Sequence, residues 1–210
     1  MIIVRPFLLP PPKFGARLQP QHLHWQVGRY KERLTSGPGG LGRGRIWVPE
    51  REGEQHNLIL TQTYDTLIAQ AGFVDLNQYA AVGTGSTPPA ATQTTLVNEV
   101  ARTRRNEFGN TGYNNTITYT GTPGVWDIQV VRQFLEGEVG GQNLTEWGFS
   151  PNSAASGALM CRELFRDGSN NPVVLTLASD QQLRLIYKYR VSFGPIQQTG
   201  AINISGIGNL

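Results

Sequence analysis

From Leu183 to Phe193 apolar and polar positions alternate: Leu183, Leu185, Tyr187, Tyr189, Val191 and Phe193 fall on one face, Arg184, Lys188, Arg190 and Ser192 on the other. A period of two with one greasy and one charged face predicts an antiparallel sheet with one wet side. The same period recurs at Thr116–Thr120 and at Trp126, Ile128 and Val130. Shorter or less regular apolar runs at Asn57–Thr61, Gln78–Val82, Leu144–Phe149, Ala158–Phe165 and Val173–Leu177 predict further strands, separated by Gly, Asn and Pro turns. His22–Tyr30 and Arg45–Pro49 predict a hairpin closed by a long loop, Thr35–Gly44.

Helical spacing occurs twice. Leu67, Ile68 and Ala71 share a face within Thr63–Gly72, with Gly72 placed as a C-cap. Leu96, Val97 and Val100 predict a helix over Leu96–Arg102, capped by Thr94 or Thr95, with Arg102, Arg104 and Arg105 at its C-terminal end. The pattern as a whole predicts a mainly β fold: an antiparallel β-sandwich, of which a jelly roll is one form, with two short helices and extended terminal arms.

The arms set the expected boundaries. Residues 1–21 read as an extended arm, because Pro6, Pro10, Pro11, Pro12 and Pro20 oppose helix and central-strand pairing. Phe7, Leu8, Leu9, Phe14 and Leu18 make it too apolar for a solvated tail. Proline stiffness lowers the entropy lost on docking, either on a neighbouring chain or on the arm's own domain. Residues 22–193 form the sandwich domain, and 194–210 a Gly-rich tail with spaced isoleucines that either stays unstructured or adds a strand to a neighbour.

Composition narrows the function classes. With 210 residues the chain has ample length for a core, and 25 Gly with 13 Pro favour turns and short strands. No run approaches the roughly 18 apolar residues of a membrane helix, and Arg5 and Pro6 interrupt the apolar start where a signal peptide would be uninterrupted. The single cysteine, Cys161, excludes an internal disulfide framework and suits a reducing compartment. Residues 1–56 carry nine Lys/Arg against four Glu, net +5, and the remainder nine against eleven acids, net −2. The front-end cations are interrupted by Pro, Leu and Trp, which fits a protein partner better than the dense cation clusters of a nucleic-acid arm.

Candidate chemistry is thin. Gly83-Thr-Gly85 follows a strand, but Pro88 stands where a dinucleotide loop needs its third glycine. The loop Thr35–Gly44 has no Gly-Lys-Ser/Thr ending, which argues against a phosphate-binding loop. His22 and His24 share a strand face and could meet His56 at a metal, but no Cys or Asp cluster accompanies them. Cys161 in an alternating segment reads as a buried thiol. Glu136, Glu138 and Glu146 offer a glycosidase-like set whose separation the sequence does not fix. Trp25, Trp47, Trp126 and Trp147 suit core, interface or sugar stacking.

Gly83, Thr84, Gly85, Pro89, Thr94, Leu96, Glu99, Val100 and Arg102 fit the spacing G-T-G-T-x-x-P-x-x-x-x-T-x-L-x-x-E-V-x-R. Preceded by the strand at 78–82, this segment resembles one found in structural proteins of tailed bacteriophages. The likeness extends over about residues 57–193 through Gly148-Phe149, Ser156-Gly157, Pro172-Val173 and the closing alternating strand, while Gln93 stands where that pattern has Asp. The resemblance implies a virion protein assembled in the bacterial host cytoplasm: a tail or tail-attachment (adaptor, fibre or baseplate) component, with no catalytic residues, cofactor or metal. Its implied partners are other virion proteins (tail, portal-proximal or capsid subunits) and further copies of itself in a homo-oligomer, with no membrane. The expected partner-binding residues are Arg5, Phe7, Leu8, Leu9, Lys13, Phe14, Arg17 and Leu18, the apolar ones binding and the cations steering. A capsid decoration or cement subunit, and a carbohydrate-binding module using Trp25, Trp47 and Trp147, are the alternatives.

Overall fold

The computed structural model describes residues 16–37, 40–66, 75–111, 115–194, 203–204 and 208–209. Its strands are β1 (Ala16–Gly37), β2 (Gly40–Gln55), β3 (Leu58–Ile59), β4 (Tyr79–Gly83), β5 (Glu99–Thr103), β6 (Asn115–Tyr119), β7 (Val125–Phe134), β8 (Asn143–Leu144), β9 (Glu146–Ser150), β10 (Cys161–Leu164), β11 (Leu175–Thr176), β12 (Gln182–Phe193), β13 (Asn203–Ile204) and β14 (Gly208–Asn209). One five-stranded sheet has the order β2-β1-β12-β7-β6 and a second β3-β10-β9-β4-β5; β8 pairs with β11 and β13 with β14. Every pairing is antiparallel, so the chain is mainly β as expected.

The alternating segment became β12, the middle strand of the first sheet. Leu183, Leu185, Tyr187, Tyr189 and Val191 are buried, and Arg184, Lys188, Arg190 and Ser192 are half-exposed. A single buried cluster takes Leu23, Trp25, Val27, Leu185 and Tyr187 from the first sheet and Ala80, Val82, Trp147, Phe149 and Cys161 from the second. Tyr187 stacks on Phe149 with ring centroids 5.0 Å apart and lies 6.3 Å from Trp147. Each fully buried side chain of this size contributes about 1.5–3 kcal/mol of transfer free energy, so these inter-sheet contacts fix how the two sheets meet.

The strand β1 begins at Ala16, six residues inside the expected arm, and pairs with β12 from Ala16↔Phe193. Pro20 is tolerated because β2 reaches only as far as Leu23 and because the register with β12 shifts between Pro20 and His22, where a missing N–H breaks no continuous ladder. The hairpin is longer than its apolar pattern. The strands β1 and β2 stay paired to Gly37↔Gly40, although β12 accompanies β1 only to Gly28. The outer ribbon carries no apolar alternation because it covers no core; Lys31–Leu34 are exposed.

No helix forms at 96–102; Glu99–Thr103 is β5, paired to β4. Thr94, Thr95, Val97 and Val100 are β-branched, which favours the extended form, and the backbone N–H groups that would open a helix are bonded elsewhere, as described below. Arg104 lies over the Tyr79 ring at 5.8 Å, and Arg105 bonds Glu138 at 3.1 Å, so neither closes a helix. Val97, expected to face the core, is 53% exposed. Helical backbone occurs instead in three places among the described residues: α1 (Gln62–Thr66), Asp75, and α2 (Glu136–Val139). In α2 the Glu138 carboxylate reaches back to the Leu135 N–H at 2.7 Å, a local signal that starts a helix. Leu67, Ile68, Ala71 and Gly72 lie outside the described residues, as does most of the 194–210 tail.

Candidate functional site

Segment 79–102 is held by a buried ion pair from two neighbouring strands. Glu146 on β9 and Arg162 on β10 are both fully buried, joined at 2.7 Å (Nη2 to Oε2) and 2.9 Å (Nε to Oε2). Glu146 also accepts the backbone N–H groups of Gly85 (3.0 Å), Asn98 (2.8 Å) and Val97 (3.1 Å). Arg162 donates onward to the Thr87 carbonyl (2.9 Å) and to Gln93 Oε1 (2.7 Å), which also accepts the Ala90 N–H. The loop 84–98, without regular structure, is thus tied at both ends and in its middle to one buried ion pair. The single amide oxygen of Gln93 accepts both the Ala90 N–H and the Arg162 guanidinium.

Each glycine of Gly83-Thr-Gly85 has a steric reason. A Cβ on Gly83 would strike the Asn98 carbonyl oxygen and lie 2.8 Å from Glu146 Oε1; one on Gly85 would strike Glu146 Oε1 and lie 2.5 Å from Val97 Cβ. The glycines bring backbone against a carboxylate, a geometry like that of an anion-binding loop, but the anion here is the protein's own Glu146. Gly85→Ala should cost about 1–3 kcal/mol by overpacking, read as a lower unfolding midpoint in denaturant. Gly137→Ala, where a Cβ meets nothing within 4 Å, should leave stability unchanged or raise it by up to about 1 kcal/mol. Equal effects of the two would contradict this reading of the loop.

The Glu-Val-x-Arg end of the segment is a bulged strand. The β4–β5 register passes from Val82↔Ala101 to Gly83↔Glu99, leaving Val100 as an extra residue. In a regular strand residues i and i+3 point to opposite faces; the added residue brings Glu99 and Arg102 to one side. They form a bidentate pair, Nε–Oε1 and Nη2–Oε2 both 2.8 Å, with side chains 12% and 5% exposed, and Arg102 also bonds the Asn152 carbonyl at 2.8 Å. Leu96 packs with Leu60, Ala81 and Leu159, and the Thr94 carbonyl accepts the Leu159 N–H at 2.9 Å.

The other candidates resolve individually. His22 and His24 bond Glu54 (3.0 Å) and Glu52 (3.1 Å) on β2; burial holds the His22 pKa below its ordinary value, opposed by Glu54. Among the described residues no three His, Cys, Asp or Glu side chains converge. Cys161 is buried, and desolvation pushes its thiol up to about 12, which leaves it without thiolate character. Glu146 is committed to Arg162, Glu138 to Arg105 and the α2 N-terminus, and Glu136 to Gln182. Trp25 (6% exposed) and Trp147 (0%) sit in the core, so neither offers a face to a sugar. Trp47 is half-buried beneath the Arg184 guanidinium at 4.5 Å, and only Trp126 (39%) presents a broad surface.

An open cleft of about 370 Å³ lies against the hairpin, lined by Tyr30, Arg45, Arg105, Phe108 and Gln133 among others. Its polar groups are mostly engaged with one another: Tyr30 donates to the Glu107 carbonyl (2.8 Å), and Gln133 bonds both Gln182 (2.6 Å) and Arg184 (3.0 Å).

Of the expected partner-binding residues, Arg5, Phe7, Leu8, Leu9, Lys13 and Phe14 lie outside the described residues. Arg17 is exposed on β1 opposite Ser192. Leu18 is 9% exposed and belongs to the chain's own core, a correction to its place among the docking residues. The Glu146–Arg162 pair was not anticipated. Charges do interrupt the apolar runs, Glu146 in 144–149 and Arg162 with Glu163 in 158–165, but the sequence does not say which acid pairs with Arg162 once buried. Comparison of the chain with known protein families, with curated proteins and with solved structures finds no match in any of the three.

Proposed function

We propose that this chain is a non-enzymatic structural subunit of a tailed-bacteriophage virion, a tail or tail-attachment component, whose two sheets form a β-sandwich and whose terminal arms dock on neighbouring subunits. The observation that carries the reading is the use made of segment 79–102. Gly83, Gly85, Glu99 and Arg102, the residues most specific to the phage-protein resemblance, are consumed in shaping a loop and a bulge around buried ion pairs. A sequence whose most distinctive residues all serve backbone architecture suits a building block. The apolar, acid-free stretch 1–15 supplies what such a block needs to join others, with Phe7, Leu8, Leu9 and Phe14 as anchors and Arg5 and Lys13 as steering charges.

Purified particles of the encoding virus, digested and quantified by mass spectrometry, should contain this chain at a fixed ratio to the major tail proteins. Imaging of labelled particles should place it at the tail or its attachment point; a head location would make it a decoration subunit instead. Its absence from particles would remove the proposal.

A further inference from the structure

The first sheet ends on β6, and its two ends are unlike. The outer strand at the other end, β2, carries Arg43, Arg45, Pro49, Glu50, Arg51, Glu52 and Glu54, the charges and proline that keep an open edge from pairing with another chain. In the second sheet the edges are the two-residue β3 and the charged, bulged β5. Strand β6 reads Asn-Thr-Ile-Thr-Tyr, with no charge and no proline, and among the described residues it pairs only with β7.

Its apolar face continues the core face of the sheet past the point where the core ends. One transverse row runs Leu18–Val191–Trp126–Tyr119 and the next Pro20–Tyr189–Ile128–Ile117. Along the first row exposure rises from 1% at Val191 to 39% at Trp126 and 47% at Tyr119; along the second it rises from 3% at Ile128 to 47% at Ile117. Tyr119 and Trp126 hold their rings 5.1 Å apart. Among the described residues no strand lies beyond β6, and an exposed apolar strip beside such an edge is the arrangement that accepts an added strand.

We propose that β6 receives residues 1–5 of a second copy as an added strand, with the following apolar residues Phe7–Leu9 laid toward Trp126. This rests on the arm-docking reading above and names the surface that reading leaves open. Met1-Ile-Ile-Val-Arg5 is a proline-free, β-prone run of five residues, the length of β6, and contains no acid. The arm enters β1 at Ala16, at the same end of the sheet as the row that holds Tyr119. Three strand spacings, about 14 Å, separate that point from β6, while fifteen residues extend up to about 50 Å. Pro10-Pro11-Pro12 stiffens the chain midway between the leading residues and Ala16, which favours carrying the leading residues away to a neighbour over folding them back across so short a distance.

The test uses the full chain, a variant lacking residues 1–15, and the edge variant Ile117→Lys/Tyr119→Lys, with Leu34→Lys as control on the exposed hairpin. Circular dichroism confirms folding of each, and light scattering after size exclusion gives mass. The full chain and the control should be oligomers. The truncated and edge variants should each fall to the 23.1 kDa class of a single chain or just below. Mixed, these two should form a one-to-one heterodimer, because one offers an arm and the other an edge. An edge variant that stays oligomeric, a truncated form that still self-associates (edge on edge), or two monomers that do not combine would each overturn the proposal. So would a monomeric full chain, although such a chain found in particles by mass spectrometry would leave the virion reading standing.

Discussion

Arg162→Met should lower stability by about 3–5 kcal/mol, because it strands the fully buried Glu146 carboxylate without its cation. At roughly 2–4 °C per kcal/mol for a chain of this size, the thermal midpoint should fall by about 6–20 °C. The substitution keeps much of the side-chain volume, so cavity formation contributes little. It also frees the Thr87 carbonyl and Gln93, which should make loop 84–98 the first region to exchange amide protons or to be cut by protease. Many buried ion pairs can be replaced together by apolar residues at no loss. This one should not follow that rule. The double change Arg162→Met/Glu146→Leu leaves the N–H groups of Gly85, Val97 and Asn98 without their acceptor, at about 1–3 kcal/mol for the buried Gly85 N–H and less for the other two, which lie on exposed residues. A double variant as stable as the parent would mean that Glu146 does not hold the loop.

How far the sequence discloses this arrangement depends on whether a signal is local. Period two exposes β12 and the first half of β7 because each has one face against the core and one away from it, and it exposes β6 because that strand extends the same face beyond the core. Gly-rich β2 has no such contrast, and its pairing with β1 was legible only where apolar residues recur. The misplaced helix has a definite cause. Leu96, Val97 and Val100 have the spacing of one helix face, but Leu96 and Val97 belong to the loop held by Glu146 and Val100 is the extra residue of the bulge, so the spacing reflects no helix. The Glu146–Arg162 pair and the contact of β1 with β12 join residues distant in sequence, and only the folded chain brings them together. At β6 the alternation of Ile117 and Tyr119 identifies a strand with an apolar face. That nothing among the described residues covers this face depends on the sheet ending there, which no local pattern encodes.

The corrected start of β1 sharpens the assembly experiment. Residues 16–20 pair with β12 and Leu18 packs in the core, so a deletion through residue 20 would damage the fold, whereas one ending at residue 15 stops where the sheet begins. The central claim is that apolar terminal arms, acting on neighbouring subunits, are how this chain works. It is tested most directly by supplying the chain lacking residues 1–15 in place of the full chain during infection and counting copies per particle by mass spectrometry. The account predicts a folded, soluble truncated chain that is absent from particles or reduced at least tenfold; incorporation at the level of the full chain would contradict it.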